Sequence, residues 1–221
     1  MSLVIDLIKS FPSRRGNMQF KYKLIVNNGT VFGISGASGS GKSTLLRTIS
    51  GLESNGVQGK INLNNQDWFS DKINCKPQQR KVGFVFQEGG LFPHLTVLEN
   101  LKLTNASTSE ISDLLQKAQL KSIEQSEIQW LSGGQYQMVM ICRAILQNPS
   151  VLLLDEPFSA LDPENKTLFG KLLKNYVKDN SIPCILVTHS KADLLALCDT
   201  QAYMLKNELV QVESNLKTSD L

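Results

Sequence analysis

The sequence GASGSGKST, residues 36–44, constrains the fold more than any other part of the chain. It fits the pattern G-x-x-x-x-G-K-[ST], in which glycines accept positive φ angles and let the backbone approach an anion closely. Successive N–H groups in such a loop form a nest for an anion at the N-terminus of a helix. The loop therefore predicts a nucleotide phosphate site between a strand and a helix.

The flanking patterns agree with this prediction, because residues 31–35 read as a strand and residues 43–51 as a helix. Lys42 is expected to reach the β- and γ-phosphates, and the Ser43 hydroxyl to ligate Mg²⁺. A chance match is the alternative, expected in on the order of one chain in a hundred at ordinary glycine content. The predicted nucleotide-binding residues of the loop are Gly36, Ala37, Ser38, Gly39, Ser40, Gly41, Lys42, Ser43 and Thr44.

The sequence VLLLDEP, residues 151–157, is an apolar run that ends in two carboxylates. A buried parallel strand has this continuous apolar pattern, and ligands of α/β sheets bind at the C-terminal edge of such strands. We expect Asp155 to hold Mg²⁺, usually through water. We expect Glu156 to orient and deprotonate the water that attacks the γ-phosphate.

Strand and helix patterns alternate along the remaining sequence, which predicts an α/β fold with a parallel sheet. The further strands are expected at 57–63, 81–86, 183–187, 202–205 and 209–212. The further helices are expected at 96–103, 109–119, 133–146, 164–178 and 191–197. Residues 88–148 are almost wholly helical and interrupt the alternation, so we interpret them as an inserted helical subdomain.

Length and composition limit the remaining possibilities. The 221 residues fit a single domain, and a net charge of +3, spread along the chain, gives no reason to expect a nucleic-acid partner. No apolar run approaches the ~18 residues that a membrane span needs. The four cysteines form no C-x-x-C pair and are expected to be reduced cytosolic thiols. We therefore expect a cytoplasmic chain that reaches a membrane only through another protein.

A second glycine motif, LSGGQ at residues 131–135, also precedes a predicted helix. One nucleotide does not need two anion sites in one chain. At this point the sequence resembles the ATP-binding subunits of ABC transporters, whose signature motif is L-S-G-G-Q. The resemblance implies that Ser132, Gly133, Gly134 and Gln135 act in trans, closing over the γ-phosphate bound by the loop of a second copy.

The resemblance extends to three further motifs in the family's order. In VFQ, residues 85–87, it implies that Gln87 contacts Mg²⁺ or the attacking water. In SALD, residues 159–162, Asp162 would signal between the two subunits. In VTH, residues 187–189, His189 would contact the γ-phosphate. The implied catalytic residues are Glu156, His189, Gln87 and Lys42, and the implied metal ligands are Ser43, Gln87 and Asp155.

The resemblance implies an α/β fold: a P-loop NTPase (RecA-like) core with a mixed, largely parallel sheet, an N-terminal antiparallel β part and an inserted helical subdomain. The resemblance also implies that residues 1–221 form a single ABC ATPase domain. Its core would comprise residues of about 1–87 and 149–221, and its helical subdomain residues of about 88–148. An N-terminal aromatic would stack on adenine. Phe11 is the best placed candidate, and Phe20 and Tyr22 compete with it. Met138 stands where relatives commonly carry Arg.

Residues 77–94 resemble the corresponding segment in the ATP-binding subunits of importers of oxyanions such as molybdate, and of sulfate, iron or polyamines. The resemblance implies ATP and Mg²⁺ as cofactors and ATP hydrolysis that powers transport. It implies a second copy in an ATP-sandwich dimer, an integral membrane permease and an extracytoplasmic solute-binding protein as partners. The subunit would be peripheral on the inner face of the membrane. We expect no regulatory domain after Leu221, which weakens the molybdate assignment.

Three other functions are alternatives to this one. A soluble ABC-type ATPase that acts on DNA or ribosomes stays open, although the long coiled coil or second ATPase unit of such proteins is missing from the sequence. A GTPase needs N-K-x-D, and residues 165–168, NKTL, lack the Asp. A degenerate, inactive subunit is disfavoured by the intact Lys42, Asp155, Glu156 and His189.

Overall fold

The computed structural model describes residues 1–12 and 18–212, and the predicted end of the domain after Val212 lies outside this range. One mixed sheet has the strand order β6-β5-β4-β1-β2-β11-β10-β3-β9-β8-β7. The strands are β1 Ser2–Phe11, β2 Met18–Asn27, β3 Val31–Gly36, β4 Val57–Leu63, β5 Gln66–Ser70, β6 Ile73–Asn74, β7 Val82–Val85, β8 Val151–Asp155, β9 Cys184–Val187, β10 Thr200–Leu205 and β11 Glu208–Val212. The α-helices are α1 Lys42–Ser50, α2 Val97–Lys102, α3 Thr108–Lys117, α4 Gly133–Leu146, α5 Pro163–Asp179 and α6 Lys191–Leu197. No helix in the described ranges is both long enough and apolar enough to cross a bilayer.

The parallel part of the sheet runs β10-β3-β9-β8-β7. All five residues of β8 are buried, as expected for a strand that is covered on both faces. Val151 and Leu153 belong to the core that contains α1, whereas Leu152 and Leu154 belong to the core that contains α4. Because β3, β9 and β8 are parallel neighbours, the phosphate loop, the VTH segment and the acidic pair all follow the same edge of the sheet.

The antiparallel part contains four strands that the sequence patterns did not indicate: β1, β2, β5 and β6. Strands β1 and β2 are each ten residues long and pair from Ser2 with Asn27 to Phe11 with Met18. Buried residues alternate with more exposed ones along β2, which is typical of a sheet with one solvated face. The buried face packs in the same core as Leu45, Leu46 and Ile49 of α1.

Helices α2, α3 and α4 lie within residues 88–148, the range interpreted as the helical subdomain, whose boundaries stay a prediction. Each of these helices begins with a capping box, in which a Ser or Thr hydroxyl accepts from the backbone three residues later. Their apolar faces pack against the β8 side of the sheet in one core. Within this range, α4 packs against β7 and shares a core with Leu152 and Leu154 of β8.

Arg80 fixes the far end of α1. Its side chain is 1% exposed, and Nη1 donates to the carbonyls of Thr48 and Ile49 at 3.0 and 2.7 Å. Nε donates to the Cys75 carbonyl at 2.9 Å. A positive charge at the C-terminus of a helix is favourable, because the last carbonyls carry partial negative charge. Arg80 therefore anchors the helix that follows the phosphate loop to the β5–β6 region.

Candidate nucleotide-binding site

The phosphate loop has the conformation that its glycines predict. Gly39 and Gly41 have φ angles of 75° and 98°, in the left-handed region. A Cβ atom at Gly41 would lie 2.6 Å from the Phe20 ring and 2.7 Å from the Tyr22 hydroxyl, whereas one at Gly39 would meet nothing within 4 Å. The Tyr22 hydroxyl donates to the Gly41 carbonyl at 2.9 Å. Strand β2 therefore packs against the loop and holds its last turn.

This packing predicts a difference between two glycine substitutions. Gly39→Ala and Gly41→Ala both place a side chain at positive φ, but only Gly41→Ala also overlaps Phe20 and Tyr22. We expect Gly41→Ala to lower the free energy of unfolding by about 1–3 kcal/mol more than Gly39→Ala does, since overpacking adds to the backbone strain. Urea denaturation of both variants measures this. Equal destabilisation would show that β2 does not constrain the loop.

Lys42 spans the loop from the first turn of α1. Its Nζ donates to the carbonyls of Gly36 and Ala37 at 2.7 and 2.8 Å. Burial lowers the pKa of Lys42, while the charges of Glu156 and Asp155 act in the opposite direction. The ammonium group is thus held by carbonyl oxygens beside two carboxylates, in a position from which it can bind a phosphate oxygen that enters the loop.

Asp155 ends β8 beside Ser43. Burial raises the pKa of Asp155, although a hydrogen bond with Ser43 and the charge of Lys42 oppose this shift. Its Oδ1 atom is buried and has no hydrogen-bond partner in the described part of the chain. An unsatisfied carboxylate oxygen beside a serine hydroxyl is a donor set of the kind that Mg²⁺ prefers. The residues present therefore fit the predicted metal.

Glu156 directly follows Asp155 and has a strained backbone conformation. Its φ is 50°, and its N–H donates to the Val187 carbonyl at 2.9 Å. Its Oε1 is 3.5 Å from His189 Nε2, which is longer than a normal hydrogen bond. Burial raises the pKa of Glu156, and His189 opposes this shift. Left-handed non-glycine residues concentrate at functional sites, which is consistent with the catalytic role predicted for Glu156.

One open cleft of about 390 Å³ brings these groups together. Lys42, Ser43, Gln87, Asp155, Glu156 and His189 all line it. Phe11 lines the cleft and packs edge-on against Phe20, with ring centroids 5.8 Å apart. Phe20 also lines the cleft but is only 3% exposed, and Tyr22 is 1% exposed and is not among the lining residues. The half-buried Phe11 is therefore the better placed aromatic for adenine stacking. That role of Phe11 stays a prediction.

Met18 also lines the cleft, although the sequence reasoning did not name it. The signal that could have indicated it is the period-two pattern of β2, which places Met18 on the same strand face as Phe20 and Tyr22. Because the sequence patterns gave no bounds for a strand at residues 18–27, this face could not be assigned from the sequence.

The signature residues line a different cavity. Ser132, Gly133, Gly134 and Gln135 lie there with Asp162, and none of them lines the cleft of Lys42. Ser132 caps α4, because its Oγ accepts from the Gln135 N–H at 3.2 Å. Asp162 caps α5 in the same way, accepting from the Asn165 N–H at 2.8 Å. The chain thus carries two glycine-rich helix starts on separate surfaces.

A phosphate loop on a parallel sheet, with two carboxylates and a histidine at the same sheet edge, defines the class of P-loop ATPases. The chain belongs to the ABC transporter family, because the family model described as "ABC transporter" matches residues 20–159. This confirms the resemblance that the signature motif indicated.

Curated relatives agree over most of the chain. The probable sulfate/thiosulfate import ATP-binding protein CysA of Chlorella vulgaris is 36% identical over 224 residues, which cover 97% of this chain and 93% of that protein. The spermidine/putrescine import ATP-binding protein PotA of Thermotoga maritima is 41% identical over 198 residues, covering 86% of this chain and 52% of that protein. The Fe(3+) ions import ATP-binding protein FbpC of Pseudomonas fluorescens is 37% identical, covering 94% and 60%.

Solved structures confirm the fold. The dimeric structure of MJ0796, described as a bacterial ABC transporter cassette, matches with a TM-score of 0.81 and 29% identity, covering 95% of this chain and 96% of that one. A dimeric post-hydrolysis state of MJ0796 bound to ADP and Pi matches with a TM-score of 0.83 and 27% identity, covering 98% and 100%.

Proposed function

We propose that this chain is the ATP-binding and ATP-hydrolysing subunit of an ABC importer and works as a dimer on the cytoplasmic face of the membrane. The observation that carries the proposal is that, in the part of the chain that the structure describes, the second glycine-rich helix start lies apart from the cleft that contains the first. In a dimer, the signature surface of each copy would complete the cleft of the other. The dimeric MJ0796 cassettes support this arrangement.

Binding of MgATP follows from the groups in the cleft. The loop N–H groups and Lys42 would bind the phosphates, and Ser43, Gln87 and Asp155 would hold Mg²⁺. Mg²⁺ neutralises charge that develops on the phosphate oxygens. Phe11 would support the adenine at the far end of the cleft. The negative charge of the triphosphate is thus met by an ammonium group, backbone donors and the metal.

Hydrolysis needs a base beside the γ-phosphate. Glu156 is suited to this role, because burial raises the pKa of its carboxyl and so makes the carboxylate a stronger proton acceptor. The carboxylate would take a proton from the attacking water. His189 lies 3.5 Å from Glu156 and would keep the water and the γ-phosphate in place.

The shared site makes activity depend on protein concentration. We expect ATP turnover per subunit to rise with concentration until the dimer is saturated. Measuring phosphate release over a dilution series with saturating MgATP tests this. Full turnover that does not change with dilution, in a chain that remains monomeric, would contradict the shared site.

A groove on another face is suited to a membrane-spanning partner. It runs between the sheet and α4, and Phe84, Phe86, Met140 and Arg143 line it. Leu52, at its rim, is 54% exposed. Phe86 is adjacent to Gln87, which lines the nucleotide cleft, so the groove and the cleft share one segment of backbone. A permease segment in this groove would therefore respond to closure around ATP.

Leu52→Arg tests the groove. We expect the variant to lose co-purification with the permease, because a charged side chain replaces an apolar contact, while ATP hydrolysis by the isolated subunit stays within about twofold. Leu103→Arg is a matched control, since Leu103 is 55% exposed but does not line the groove. Retained co-purification of Leu52→Arg, or equal loss in the control, would exclude this groove as the docking site.

The solute is set by proteins other than this subunit. The relatives named above import sulfate or thiosulfate, spermidine or putrescine, and Fe(3+). These names support import, with sulfate, a polyamine or iron as candidate solutes in place of molybdate. A permease and an extracytoplasmic solute-binding protein would supply selectivity. Identifying the integral membrane protein that co-purifies with the chain tests this, and its absence would favour the soluble ABC-type ATPase.

A further inference from the structure

The backbone carbonyl of Glu156 accepts hydrogen bonds from groups that do not line the nucleotide cleft. Its φ of 50° is unfavourable for a residue with a side chain, and such residues persist only where their surroundings hold them. The Glu156 carbonyl accepts from three donors: the Ser159 N–H at 3.3 Å, Ser159 Oγ at 3.1 Å and Gln137 Nε2 at 3.3 Å. One of these donors comes from a different element, helix α4.

Both polar atoms of the Gln137 side-chain amide form hydrogen bonds with residues 156–160. Nε2 also donates to Ser159 Oγ at 2.7 Å, and Oε1 accepts from the Ala160 N–H at 2.9 Å. The Gln137 side chain is 6% exposed, so these hydrogen bonds are sheltered from water. Loss of the amide would leave a buried N–H group and the strained turn without a partner.

Helix α4 is also packed tightly on this segment at its first turn. A Cβ atom at Gly134 would lie 3.1 Å from the Ala160 carbonyl. The start of α4 is the signature motif, so one rigid element contacts both the signature surface and the turn that follows Glu156. Gln137 is the polar connection between the two.

We propose that Gln137 is a positioning residue for Glu156: its buried amide holds the left-handed turn that aims the Glu156 carboxylate at the water beside the γ-phosphate. Gln137 contacts neither the nucleotide cleft nor the reacting atoms, and it acts through the backbone of residues 156–160. The inference rests on the proposed ATPase function and assigns one further residue to that site.

Two variants test the proposal. Gln137→Met removes all three hydrogen bonds, and Gln137→Glu keeps an acceptor for the Ala160 N–H but removes the donor to the Glu156 carbonyl. We expect kcat to fall about tenfold or more in both, while the dissociation constant for ATP stays within about twofold. Gln116→Met, at an exposed glutamine of α3, is the control and should leave kcat unchanged. If Gln137→Glu does not fold, because its carboxylate would be buried beside the Glu156 carbonyl, Gln137→Met decides the outcome.

Formation of the ATP-bound dimer distinguishes a role of Gln137 in positioning Glu156 from a general effect of the substitution on α4. In the Glu156→Gln background, we expect Gln137→Glu to leave the ATP-dependent dimer unchanged in gel filtration. An unchanged kcat overturns the proposal, and so does loss of the dimer, which would place the effect on the signature. Absence of hydrolysis by the unmodified chain at every concentration would instead overturn the proposed function.

Discussion

We expect Glu156→Gln to hydrolyse ATP at least about 100-fold more slowly than the unmodified chain, since general base catalysis supplies 10²–10⁴-fold of rate. Glutamine keeps the shape of the side chain but cannot accept the proton of the attacking water. ATP binding should be retained, because the phosphate contacts of the loop and Lys42 do not involve Glu156. With binding intact and hydrolysis blocked, the ATP-bound dimer should accumulate.

Two measurements check this prediction: phosphate release at saturating MgATP, and gel filtration with ATP or ADP. The dimer should appear with ATP and not with ADP. Glu164→Gln is the control, because Glu164 is an exposed carboxylate in the first turn of α5, outside the cleft. An unchanged steady-state rate of ATP hydrolysis in Glu156→Gln would contradict the assignment of Glu156 as the general base.

The elements around the phosphate loop and the acidic strand were predictable because their signals are local. The apolar run that ends at Asp155 matches β8, which is buried along its whole length. Helix α4 occupies residues Gly133–Leu146, the range that the sequence predicted, because Ser132 caps its start. The order of the motifs then placed Glu156 and His189 at one sheet edge, and the cleft contains both.

The N-terminal strands were harder to predict because their stability comes from long-range pairing. Strand β1 pairs with both β2 and β4, and Lys9, a charged residue at a buried position, interrupts its alternating apolar pattern. The left-handed φ of Glu156 and its contact with Gln137 were also missed. That contact joins residues 19 apart in sequence, on different elements, and no local pattern encodes such a pair. What sequence reasoning misses here is the support of the site rather than the site itself.

Ser132→Arg should abolish the dimer without abolishing nucleotide binding. The side chain of arginine would place a bulky cation on the signature surface, where the proposed dimer has a small hydroxyl facing the nucleotide of the other copy. We expect hydrolysis to fall about 100-fold or more, as for the loss of electrostatic stabilisation of the transition state. In the Glu156→Gln background, ATP should no longer induce a dimer, while the affinity of the monomer for ATP stays within about twofold.

Loss of the helix cap is a competing explanation for the effects expected of Ser132→Arg. The chain offers a matched control for this explanation. Ser107 caps α3 with the same geometry, because its Oγ accepts from the Glu110 N–H at 3.2 Å, as Ser132 Oγ accepts from Gln135. Ser107→Arg and Ser132→Arg should each lower the free energy of unfolding by about 1 kcal/mol. Only Ser132→Arg should lose the dimer, because only Ser132 lies on the signature surface. Loss of ATP binding in the Ser132→Arg monomer would place the signature in the cleft of its own chain and contradict the shared site.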